Sequence, residues 1–464
     1  MAFGLAACRE RPLWRSGGTP QRAFPTNDAA ATPHYNDIPI TPSSLVTQKI
    51  YSQSFGNGLT LVAEEMDWLE SAAFALLLPA GCAREPASLA GLGNLTCEMA
   101  QRGAGERDSR QFVADLENIG ADCSASVSVA HTAFGGAMPA ESLHAALSIY
   151  ADVARRPHLP ADQLEDARLG CLQEVRAIED DLAQKLMLGL RTQFYADPYG
   201  RGAQGTMETV AALQMGDVQR FFQQAYQPDG AILSVAGKID WPRLKEHVAE
   251  IFGSWKAGQA ATMKETPPPR KYLHIPVESS QTHIGIAFDG LPYSHSDYFQ
   301  LRGAVGALSD GMSSRLFTEV REKRGLCYTV YASCHSLRDR GGVFAYAGTT
   351  AERAQETLDV MLAELTRLKD GVEKAELDRL KGRIKRALVL QQESSPSRSG
   401  AIAFDWYYLG RVRTMQELGK IIYDLSCESI NHYLTAHGPR DFTIATLGPE
   451  ELAVQDSEVQ RGVS

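Results

Sequence analysis

Asn94, Cys97 and Glu98 occupy positions i, i+3 and i+4 of the run Gly91-Leu92-Gly93-Asn94-Leu95-Thr96-Cys97-Glu98-Met99. A helix there puts an amide, a thiol and a carboxylate on one face. The three donor types suit different ions, so together they match no common metal site. A nucleophilic Cys97 would need an imidazole base, and the nearest in sequence is His131. A buried, inert thiol is the expectation. None of the eleven histidines lies in this run, and no two form an H-x-x-x-H pair. A second charged group, Lys381, Arg383, Lys385 and Arg386, is interrupted by Leu380, Ile384 and Leu388. That pattern is an amphipathic helix with a solvated face; facing a chamber, it would attract acidic peptide termini. A third, Glu319-Val320-Arg321-Glu322-Lys323-Arg324, reads by itself as a solvated helix end, with Tyr328 packed in the sheet that follows.

The elements that position these groups belong to a chain of ordinary globular composition. Of 464 residues, 44% are hydrophobic and 22% charged, enough to bury sizeable cores. The net charge of -10, with no basic block, argues against nucleic acid as the main partner. No run approaches the ~20 apolar residues of a membrane span. The eight cysteines are scattered and form no CxxC pair, which excludes a zinc ribbon or thioredoxin-type site and points to a reducing compartment.

Residues 1–44 read as a disordered extension. Leu5-Ala6-Ala7-Cys8 resembles a lipoprotein cleavage box, but the apolar stretch before it is short and no basic leader precedes it. Arg9, Arg11, Arg15 and Arg22 suggest an organellar presequence, whose helix Pro12, Gly17, Gly18 and Pro20 would break. A cytoplasmic location is the expectation, with organellar or lipid-anchored locations as alternatives.

Strand patterns at Leu59–Ala63 and Ala72–Leu78 precede the Asn94 helix, a second helix over 109–118, and a strand across Ser124–Gly136. Helices follow near Pro139–Ala154 and Ala161–Leu190, then a strand at Ala231–Val235. The small residues after Lys256 and the run Pro267-Pro268-Pro269 form a linker. Beyond it the order recurs: a strand at His283–Phe288, helices Tyr298–Leu308 and Ser314–Glu322, two strands, and two helices. Phe134 lines up with Phe344 at an offset of about 210 residues. The expected fold is α+β: an N-terminal unit over 45–255, a linker over 256–271 and a similar unit over 272–464. Each unit would be a mostly antiparallel sheet with helices packed on it.

Three stretches carry a family resemblance. Gly311-Met312-Ser313-Ser314-Arg315-Leu316-Phe317, followed by Arg321-Glu322-Lys323-Arg324-Gly325-Leu326-Cys327-Tyr328, is similar to the second-domain signature of the pitrilysin, insulinase and mitochondrial-processing-peptidase family. Tyr226-Gln227-Pro228-Asp229 leading into Ala231–Gly237 resembles the end of that family's first domain, and Pro198–Thr206 resembles its PxGxxxxGT loop. The resemblance spans roughly residues 46–450.

The family's zinc site is an inverted motif, H-x-x-E-H on a helix, with a distant glutamate as third protein ligand. The resemblance puts Asn94 at the first histidine, Cys97 at the base, Glu98 at the second histidine and Glu174 at the third ligand. Only Glu174 keeps its type, so no metal on this chain is expected. In that family an arginine and a tyrosine seven residues apart hold the substrate carbonyl and oxyanion, and Arg321 and Tyr328 have that spacing. The resemblance therefore implies a zinc-less subunit of a heterodimeric metalloendopeptidase. Zinc would sit on a homologous partner with an intact motif (or the assembly would be a homodimer), and the substrates would be short unfolded peptides. The alternatives are a peptide-binding or structural scaffold without hydrolysis, and a self-sufficient peptidase with an altered metal.

Overall fold

The computed structural model describes residues 48–256, 258, 264–270 and 272–454. The 1–44 extension lies outside the described residues, as does part of the 256–271 stretch.

Two mixed sheets form the frame. The first contains β1 (Lys49–Ser54), β2 (Thr60–Glu65), β3 (Ser71–Leu78), β4 (Asp122–Val127), β5 (Thr132–Pro139) and β6 (Ile232–Gly237), in the order β1-β2-β6-β3-β5-β4. The second contains β7 (Leu273–Pro276), β8 (Gln281–Gly290), β9 (Cys327–Ser336), β10 (Gly341–Thr350) and β11 (Thr443–Gly448), in the order β7-β11-β8-β10-β9. Removing β1 leaves the same order and the same directions in both: one parallel pair, β2 with β6 or β7 with β11, and antiparallel pairing elsewhere. Phe134 on β5 and Phe344 on β10 lie on corresponding strands but face opposite ways, Phe134 into the core under the first unit's helices and Phe344 onto helix Leu182–Phe194.

The expected strand across Ser124–Gly136 is instead the hairpin β4–β5, turned at Ser128–His131, where the Ser128 amide donates to the His131 carbonyl at 2.7 Å. Ala161–Leu190, expected as one helix, is two: Leu164–Asp180 and Leu182–Phe194. Asp181 breaks it, because its carboxylate caps the second helix by accepting from the Gln184 amide at 3.1 Å.

One face of the first sheet is covered by helices Leu92–Ala100, Leu143–Arg155, Leu164–Asp180, Met215–Ala225 and Trp241–Phe252, which share one core with it. The other face receives a helix from far along the chain. Helix Ser395–Leu409 lies across β2, β3 and β6, burying Ile402 and Ala403 against Val62, Leu77 and Ile232. The reverse also holds: helix Leu182–Phe194 lies on β8 and β11, with Leu186, Leu190 and Phe194 packed against Ala287, Phe344, Ala445 and Leu447. Each half therefore completes the other's sheet. A fully buried Leu contributes about 1.5–3 kcal/mol, so this exchange is a strong tie. It also carries a buried ion pair: Arg398 meets Glu64 of β2 at 2.6 Å, each side chain 2% exposed. No described helix is long and apolar enough to cross a membrane.

Candidate functional site

The residues singled out from the sequence gather at two places. The first is helix Leu92–Ala100, whose start is fixed by a residue that the motif reading missed. Buried Glu85 accepts from the Gly91 amide at 2.8 Å and the Gly93 amide at 2.7 Å, satisfying donors that a helix N-terminus leaves open. Gly91 has φ 91°, and a Cβ there would lie 2.7 Å from Val210 Cγ2, so a side chain would be both strained and crowded. An acidic residue a few positions before a Gly-x-Gly helix start was the available signal.

Burial pushes the Glu85 carboxyl up to about 7, against the Gly93 and Gly91 amides and nearby Arg201, which pull it down. Folded Glu85 thus holds its proton where an unfolded carboxyl has lost it. Stability from this group is full below about pH 4.5 and is lost as pH rises through 7. Glu85→Gln is expected to remove that slope from a stability–pH profile measured by denaturant melts. Glu85→Ala leaves two buried amides unbonded and is expected to cost about 1–3 kcal/mol.

On the exposed side of this helix, Asn94 donates its amide to Glu174 at 2.8 Å and reaches Cys171 Sγ at 3.6 Å. Glu174 and Cys171 come from helix Leu164–Asp180. Burial, then Glu98, drives the Cys97 thiol far above the ordinary range. Burial, then Glu174, raises the Glu98 carboxyl and also sends the Cys171 thiol up to about 12. Burial thus favours the protonated thiols, and the Asn94 amide spends its donor on the Glu174 carboxylate. Zinc does not fit this cluster: there is no imidazole, and among the described residues no group of three or more His, Cys, Asp or Glu is placed to hold a metal. Among the described residues no histidine hydrogen-bonds to Cys97, so the nucleophile reading gains no base there.

The second place is built by two local irregularities. The helix expected over Ser314–Glu322 widens to a π-helix at Phe317–Glu322, with the Lys323 amide donating to the Thr318 carbonyl at 2.9 Å. It ends in a left-handed Gly325 (φ 61°), with Gly325 N–H to Arg321 O and Leu326 N–H to Val320 O, both 3.0 Å. Each of these bonds spans one residue more than in the Schellman stop of an α-helix, in keeping with the π turn that they close. Arg315 anchors the segment's start, bonding Glu376 at 2.7 Å and the Gly371 carbonyl at 2.7 Å.

Two turns on, the β9–β10 register slips. Gly348 pairs with Thr329 and Thr349 with Cys327, which leaves Tyr328 as the extra residue of a β-bulge on an edge strand. Bulges re-aim side chains, and Tyr328 is 83% exposed. The expectation that Tyr328 packs in the sheet is overturned.

The Arg321 guanidinium sits 4.9 Å from the Tyr328 ring centre and 4.8 Å from that of Phe317. The neighbouring cations are taken: Glu319 pairs with Lys323 at 2.6 Å and Arg324 at 2.9 Å. Among the described residues, no carboxylate pairs with Arg321. A stacked, unpaired guanidinium beside an exposed phenol offers several N–H donors and one O–H to an incoming oxyanion. No hydrogen bond, ion pair or ring contact joins this pair to the Asn94 cluster among the described residues.

Comparison with known proteins bears on the family and the fold. The model "Insulinase (Peptidase family M16)" matches residues 61–206, and "Peptidase M16 inactive domain" matches residues 212–384. An uncharacterized zinc protease of Bacillus subtilis (strain 168) is 28% identical over 400 residues, covering 85% of this chain and 97% of that protein. An uncharacterized zinc protease of Rickettsia felis is 24% identical over 402 residues, covering 85% and 97%. A crystal structure of a peptidase M16 inactive domain from Pseudomonas fluorescens superposes with a TM-score of 0.79 at 22% identity, covering 90% of this chain and 100% of that one. A protease from Helicobacter pylori superposes with a TM-score of 0.79 at 20% identity, covering 87% and 100%. The fold is the two-domain α/β arrangement of M16 peptidases. The chain belongs to the pitrilysin/insulinase family, peptidase family M16.

Proposed function

We propose that this chain is the zinc-less subunit of a heterodimeric zinc metalloendopeptidase, with domains over 45–255 and 272–464. Arg321 and Tyr328 would be turned toward a site whose metal belongs to a homologous partner with an intact H-x-x-E-H motif. The observation that carries this reading is the contrast between the two places. The Asn94 cluster is occupied with its own hydrogen bonds, whereas Tyr328 is exposed with the half-buried Arg321 guanidinium over its ring, and no counter-charge meets Arg321 among the described residues. Donors fixed in advance stabilise a developing oxyanion without reorganising, which is what an amide-hydrolysing site needs. Short unfolded peptides are the fitting substrates, and a cytoplasmic assembly is consistent with the unpaired cysteines.

The test is reconstitution. This chain is mixed with a homologue from the same genome that keeps the motif, and cleavage of unstructured peptides is followed with and without chelator. Neither subunit alone is expected to match the pair. A partner whose full activity needs no second chain sinks the proposal, and a stable complex without cleavage selects the scaffold reading.

The correspondence of positions has its own check. Asn94→His, Cys97→Glu and Glu98→His together put two imidazoles one helical turn apart opposite Glu174. The triple variant is expected to take up about one zinc per chain by metal analysis, which the parent does not.

A further inference from the structure

Under helix Ser395–Leu409, between the two sheets, lies a cavity of about 820 Å³. That is within the roughly 300–1,000 Å³ typical of small-molecule sites. Much of its wall is apolar or aromatic, including Leu337, Leu390, Ile402 and Tyr407. Its charged groups are mostly matched: Arg201 with Asp197, Arg398 with Glu64, and Asp405 with Arg413.

Arg191 is the exception. It lines the cavity from helix Leu182–Phe194, yet no hydrogen bond or ion pair holds its guanidinium among the described residues. Burial pulls its pKa below the ordinary range. His335, also lining the cavity, gives Nδ1 to the Tyr195 hydroxyl at 2.9 Å; burial and the Arg191 charge take it down to about 4. His131 is only 6% exposed and meets the Tyr407 ring edge-on at 4.3 Å, and neither of its ring nitrogens has a hydrogen-bond partner among the described residues. Burial, then Arg84 and Arg338, hold it near 4, so it stays neutral. Neither Arg84 nor Arg338 has a carboxylate partner among the described residues. Arg338 is exposed and neither of these two lines the cavity, but Arg191 does, half-buried and with its charge disfavoured by desolvation; such a cation without a counter-ion is costly and persists where something compensates it. Here the protein supplies the positive charge and the polar donors, and withholds the anion.

We propose that this cavity binds a small amphipathic carboxylate, its apolar body against the aromatic wall and its head on Arg191. The site is independent of the peptidase reading. Two sources share this chemistry, a free aliphatic acid and the free C-terminus of an apolar peptide.

Calorimetry on the full chain would use four probes: sodium octanoate, octanamide, N-acetyl-Leu-Phe and its C-terminal amide. At least one acid is expected to bind at a single site, at least tenfold tighter than its own amide. Octanoate alone would identify an aliphatic acid, and the dipeptide alone a chain terminus. Arg191→Met is expected to abolish the tenfold preference while leaving amide binding unchanged. It should also raise the melting temperature of the empty protein, because it removes an uncompensated charge; a purely structural Arg191 would lower it. The proposal is overturned if neither acid binds, if acid and amide bind alike, or if the variant keeps the preference. Should Arg191→Met not fold, the acid–amide comparison on the parent chain still decides the matter.

Discussion

Under the proposed function, Arg321→Ala is expected to lower kcat of the assembled peptidase by about 10²–10³-fold, the range for losing one preorganised oxyanion donor. KM changes little, because the donor acts on charge that develops only in the transition state. Tyr328→Phe, which removes one O–H and keeps the ring under Arg321, gives a smaller loss in kcat. Both variants melt like the parent. Arg321 has no ion pair to lose among the described residues, and the Tyr328 side chain is out in solvent. Steady-state kinetics with saturating peptide, beside thermal melts, separates these expectations. Unchanged turnover in Arg321→Ala would remove the basis for assigning the pair a role in hydrolysis.

The largest stability effect is expected at the ion pair between the halves. Arg398→Ala leaves the Glu64 carboxylate buried on β2, holding only the Gln48 amide at 2.5 Å. Breaking such a pair from one side costs about 3–5 kcal/mol. Arg398→Met with Glu64→Gln removes both charges and should recover most of that loss, since the expensive state is the orphaned carboxylate. Denaturant melts of the two single variants and the double close the cycle. If the double variant is no better than Arg398→Ala, the loss comes from packing around Met415 and Gln391 and not from charge.

The family was legible in the resemblance carried by Gly311–Tyr328, and the α+β class and the recurrence of elements in the apolar periodicity. The seven-residue spacing of Arg321 and Tyr328 was legible too, but not how it brings them together. A π turn and a β-bulge each insert a single residue, and the one-residue phase shift this leaves in a short apolar run does not say where the insertion lies. The break at Asp181 was hidden for a related reason: Leu182, Leu186 and Leu190 continue a helical period, and only the capping carboxylate reveals a new axis. Glu85 gave no periodic signal at all. Its role depends on two amides that come within reach only after the Gly91 turn forms. Nor does sequence spacing say which sheet a helix will cover.

That last point bears on how the chain is made. Helix Leu182–Phe194 leaves the ribosome with an apolar stripe whose resting place includes β11, which begins at Thr443, about 250 residues later. At roughly 5–20 residues per second, that is a wait of about 12–50 seconds. Until β7 and β8 emerge, Leu186, Leu190 and Phe194 have no native partner among the sheet strands, and their cover is complete only with β11, so the nascent first half is expected to need a holdase or a transient clasp. Severing the chain between β6 and β7 would make that wait permanent for both pieces, each with a greasy sheet face uncovered until the two fragments meet.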